Sequence, residues 1–71
     1  REGTLMWLVV GMASSKKTAQ EMQQALEGEG ILVKLRNVSS KAKDGRDTYE
    51  ILVLESEAGQ AREILFEKGL S

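Results

Sequence analysis

The stretch ILVKLRNVSSKAKDGRDTYEILVL, residues 31–54, decides the fold. It holds two apolar runs, Ile31–Arg36 and Thr48–Leu54, with no helical pattern between them. In the first run Ile31, Val33 and Leu35 alternate with Leu32, Lys34 and Arg36, the period of a strand whose two sides face different surroundings. In the second, Tyr49, Ile51 and Val53 face one way and Glu50, Leu52 and Leu54 the other. Asp44-Gly45 is a turn signal between them, so the two runs predict an antiparallel hairpin. Opposite placing of Lys34 and Glu50 across this hairpin is expected, a cross-strand pair without chemistry of its own.

The flanks supply the remaining elements. Leu5–Val10 is a continuous apolar run, read as a first strand that Gly11 closes. Ser14 or Ser15 then caps a helix whose buried stripe is Ala19, Met22, Ala25 and Leu26, and which Gly28 or Gly30 ends. After the hairpin, Ser56 is the expected cap of a second helix, with Ala58, Ala61, Ile64 and Leu65 inward. Gly69 is its expected left-handed terminator, with Leu70 folding back on Leu65 or Phe66. Glu55 and Glu57 suit the positive end of that helix.

Connectivity limits the topology. A helical crossover makes the first two strands parallel, so the hairpin partner fits between them. The fold class is therefore α+β, a split unit in the order βαββα. It has a three-stranded antiparallel sheet in the order 1-3-2 with both helices on one face. It is a ferredoxin-like arrangement lacking the last strand. The helix-covered face takes Ile31, Val33, Leu35, Tyr49, Ile51 and Val53. The open face takes Leu32, Lys34, Arg36, Glu50, Leu52 and Leu54, plus either Leu5-Trp7-Val9 or Met6-Leu8-Val10 from the first strand.

Size and composition point to association. The 71 residues form a single domain, residues 1–71, with Arg1–Thr4 read as a processing remnant because position 1 is not Met. A core this small rarely supplies more than about 3–5 kcal/mol without a staple. The chain has no Cys and no His, so disulfides, thiolate or imidazole metal sites and the commonest general base are excluded. That leaves oligomerisation as the source of further stability. Apolar residues on an otherwise solvated sheet face mark an interface, here Trp7, Leu32, Leu52 and Leu54.

Ten cations against eleven anions give no basic excess, so nucleic acid is not expected as a partner. No apolar run approaches the ~18 residues of a membrane span, and a cytoplasmic location is expected. No cofactor, metal or enzymatic activity is expected. Trp7 and Tyr49 read as core aromatics rather than a base-stacking platform.

Two segments could hold an anion. The turn Gly11–Lys17 offers a helix N-terminus, Ser14, Ser15, Lys16 and Lys17, without the spacing of a Walker loop. The segment Asn37–Asp47 is long for a hairpin connection and carries Lys41, Lys43 and Arg46. It is expected to be mobile and to contact an anionic ligand or a protein partner.

Three stretches carry a family resemblance: Met6–Val10, Glu29–Leu35, and Tyr49–Leu54 leading into Ala61–Leu65. They resemble a family of small bacterial domains grouped as prokaryotic signal-transducing proteins, in which Pro often stands where Leu54 is here. The resemblance implies a ferredoxin-like fold similar to that of the PII signalling proteins, with no catalytic residues to carry over. It also implies that residues 37–47 occupy the place of the partner-contacting PII loop.

Overall fold

A computed structural model of the chain describes residues 6–38 and 48–70. Its elements are strand β1 (Trp7–Ala13), helix α1 (Lys16–Glu27), strand β2 (Val33–Asn37), strand β3 (Tyr49–Leu54), a 3-10 turn at Glu55–Glu57 and helix α2 (Ala58–Glu67). The sheet order is β1-β3-β2, with both neighbouring pairs antiparallel. The expected βαββα topology is thus observed.

The core lies between the sheet and the two helices. Ala19, Met22 and Leu26 of α1 and Ala58, Ala61, Ile64 and Leu65 of α2 are buried with Ile51 and Val53 of β3. Leu8, Val10, Val33, Leu35 and Tyr49 pack against this cluster, which places the expected strand residues on the helix-covered side.

Helix α1 starts, and both helices stop, for local reasons. Ser15 caps α1, its hydroxyl oxygen accepting from the Thr18 N–H at 3.2 Å and its hydroxyl donating to Thr18 Oγ1 at 3.1 Å. At the far end Gly30 turns left-handed, with φ of 85°, while the Ile31 N–H donates to the Leu26 carbonyl and the Gly30 N–H to that of Glu27. That is a Schellman closure, with buried Ile31 as its apolar anchor. The end of α2 repeats it: Gly69 has φ of 71°, Leu70 donates to Leu65 and Gly69 to Phe66. Leu70 packs on the core as expected. Ile31 is therefore a helix-closing residue, and β2 begins only at Val33.

Three expectations need correction. Strand β1 does not end at Gly11 but runs to Ala13 through a bulge between Val9 and Gly11. The bulge turns Gly11 toward the helices, where a Cβ would come within 2.6 Å of Met22 Cε. The space beside Gly11 is filled by the flexible end of Met22, so packing rather than a turn accounts for the glycine, and the loop before α1 shrinks to Ser14-Ser15. Ser56 does not cap α2, because the chain enters it through the 3-10 turn, and Glu57 takes the cap position without a side-chain bond. Glu57 Oε1 is buried with no hydrogen-bond partner among the described residues.

The third correction concerns the hairpin register. It sets Lys34 opposite Leu52 and Arg36 opposite Glu50, so the ion pair belongs to Arg36. The ladder also extends further than expected, the Val38 N–H donating to the Thr48 carbonyl at 2.8 Å. The rest of the expected loop, residues 39–47, lies outside the described residues, as do residues 1–5.

Candidate interaction face

The sheet face away from the helices is built by all three strands. Alternation on β3 sends Glu50, Leu52 and Leu54 there. Trp7, Val9 and Met12 of β1 stand opposite Leu54, Leu52 and Glu50 in register. Lys34 and Arg36 of β2 stand opposite Leu52 and Glu50. Of the two alternatives for the first strand, the one containing Trp7 and Val9 faces outward.

This face closes part of itself. The Lys34 Nζ sits 4.5 Å from the Trp7 ring centroid. Trp7 and Lys34 belong to the two outer strands, which flank β3 and lie about 10 Å apart. Their side chains therefore meet over the central strand, beside Leu52. A cation over an indole face is attracted by the ring quadrupole, worth about 0.5–1 kcal/mol at an exposed site. The lysine stem adds apolar cover. Leu52, between these strands, is only 4% exposed although it does not belong to the helix-side core cluster. One strand step away Arg36 Nε donates to Glu50 Oε1 at 2.8 Å, and Nη2 reaches the same oxygen. Such exposed pairs contribute roughly 0–1 kcal/mol and mainly fix side-chain geometry.

The apolar surface left over lies along the edge strand β1 and just before β2. Val9 is 38% exposed, Met12 56% and Leu32 64%. Among the four residues expected to form an interface, Leu32 is open, Trp7 and Leu54 are half-buried and Leu52 is shut inside the chain's own sheet. Met12 was missed because Gly11 read as the strand end. Val9 stood in one of two equivalent readings of a strand that is apolar on both sides.

The expected anion residues do not form one cluster in the described part of the chain. Gly11 belongs to β1 and faces the core. Ser14 is exposed, Ser15 is engaged as the α1 cap, and Lys16 and Lys17 are exposed on the first helical turn. Lys41, Lys43 and Arg46 lie outside the described residues. Among the described residues no group of three His, Cys, Asp or Glu side chains comes together to hold a metal ion. No helix there is long and apolar enough to cross a membrane. Neither a family model nor a curated protein nor a solved structure matches the chain.

Proposed function

We propose that the chain is a non-enzymatic regulatory or protein-interaction domain of a bacterial cytoplasm, working as a homo-oligomer. The observation that carries this reading is the open sheet face, with Val9, Met12 and Leu32 exposed around a sealed centre at Leu52. Grouped apolar surface on a small domain marks a contact site. A core of this size also gains stability from association. The resemblance of the strand segments to the prokaryotic signal-transducing family supports a regulatory role. Under that resemblance the segment between Val38 and Thr48 would contact a second, different protein.

Size-exclusion chromatography with light scattering at micromolar concentration tests the oligomer. A mass above that of one chain is expected, and a single-chain mass across the concentration range rejects the reading. Native mass spectrometry of protein purified from cells separates it from an anion or small-ligand sensor. A bare oligomer supports the interaction domain, and a retained small molecule supports the sensor.

A further inference from the structure

We infer that two copies of the chain join edge to edge at β1, antiparallel about a two-fold axis at Leu8. Trp7 of each copy then lies opposite Val9 of the other. This inference rests on the homo-oligomer reading above and specifies which surface the copies share.

The sheet has three strands among the described residues, so β1 and β2 each present one edge without a partner strand. The two edges differ in charge. Strand β2 carries Lys34 and Arg36, the kind of residues that discourage edge pairing. From Met6 to Ser15 the chain has no charged residue at all. A strand of that composition can meet its own copy across a two-fold axis without opposing like charges, whereas two β2 edges would bring their cations together.

Backbone alternation selects the register. The Glu55 N–H donates to the Met6 carbonyl at 2.8 Å, so residues 6 and 55 form a hydrogen-bonded pair. With Trp7 opposite Leu54, Leu8 opposite Val53 and Val9 opposite Leu52, alternation directs the N–H and C=O of Trp7 and Val9 away from β3. The bulge between Val9 and Gly11 interrupts the strand beyond them. Placing Trp7 against Val9 of the second copy engages these outward groups on both chains and uses only the regular half of β1. It also joins the two open faces into one surface. Exposed Val9 then comes beside the indole of the other copy. Helix α2 packs over β1.

Two variants test the arrangement in the full chain. Val9→Pro removes an N–H that points away from β3 and leaves the β3 ladder intact. It is expected to weaken the dimer at least tenfold by light scattering, with an unchanged far-UV circular dichroism spectrum. A dimer of unaltered affinity overturns the edge. The second variant uses the absence of cysteine from the chain. At the two-fold axis Leu8 faces its own copy in a non-hydrogen-bonded pair, within the Cα separation a disulfide needs. Under mild oxidation Leu8→Cys is expected to give a covalent dimer, and Leu35→Cys, half-buried on the β2 edge, is not. Cross-linking at Leu35 and not at Leu8 overturns the β1 edge, and does so even where Val9→Pro fails to fold. If the native chain is an oligomer and both β1 tests fail, the oligomer reading survives and this inference falls. A monomeric native chain removes both.

Discussion

The two faces of the sheet keep water out by different means. On the helix side, Ile51 and Val53 are sealed by side chains of α1 and α2, and their exclusion depends on the whole fold. On the other side, Leu52 is almost as well excluded with no helix of the described residues above it. Among the described residues, Val9 and Lys34 stand beside it in register and the Trp7–Lys34 contact spans the two outer strands. Burial is thus not the same thing as facing a core. A long amphipathic side chain laid along a strand can make a local dry patch. The difference matters for the interaction face, because Leu52 is already closed and exposed Val9 and Met12 of β1 and Leu32 remain for a partner.

The largest expected effect separates the faces least. Ile51→Ala should cost about 2–5 kcal/mol, comparable with the whole stability of a domain this small, and leave the chain largely unfolded in a thermal melt. Leu52→Ala is expected near the lower end of that range, while Leu32→Ala should stay within roughly 0.5 kcal/mol of the parent. A Leu52→Ala variant as mild as Leu32→Ala would show that the open face is not closed. For the same reason Leu52→Glu should destabilise the chain itself as well as any assembly, because the carboxylate loses its water even with Lys34 beside it.

Next comes Gly11→Ala. It adds a methyl group against the flexible end of Met22, which can shift, and should cost about 1 kcal/mol, the low end of overpacking. A double-mutant cycle with Met22→Ala should recover much of that loss, because the two positions share one space. Independent, additive effects would place the bulge residue elsewhere.

Lys34→Ala sharpens the comparison from the open side. It removes the cation over Trp7 and should cost about 0.5–1 kcal/mol. Trp7 is the only tryptophan, so its emission reports the contact directly and should move to the red. Emission identical to the parent would mean that Lys34 does not cover the ring. The smallest effect lies off both faces. Lys16 and Lys17 stand at the positive end of α1, with no acidic residue in its first turn. Lys16→Glu should therefore stabilise the chain by about 0.3–1 kcal/mol in low salt, measured by urea unfolding.

The order of elements was legible because period and punctuation agreed. Ile31, Val33, Leu35 and then Tyr49, Ile51, Val53 alternate cleanly, and Gly30 and Gly69 stand where left-handed closures are needed. The site was less legible. Six consecutive apolar residues at Leu5–Val10 carry no alternation, so nothing in them says which half faces the helices. Gly11 looks like a strand end because its real reason, the space taken by Met22, is a long-range contact. Lys34 and Arg36 are equally plausible partners for Glu50 until the register is known. Register depends on where the hairpin turns, and composition between residues 38 and 48 does not specify it. The cover over Leu52 depends on two strands that are not neighbours in the sheet.

The bulge in β1 has a consequence for changes of chain length. Residues 7 to 9 oppose 54 to 52, and residues 11 to 13 oppose 51 to 49, leaving Val10 as the one residue without a counterpart. Removing it would give an unbroken ladder in which Trp7, Val9 and Met12 still point one way and Leu8, Gly11 and Ala13 the other. A one-residue deletion normally inverts every side chain beyond it. Here the strand already contains the compensating residue, so a shorter chain keeps its inside and outside. The loss is confined to the packing of Val10 itself, and the straightened strand offers a longer outer edge. Natural variation in length should therefore be tolerated at this point more readily than at Leu8 or Met12.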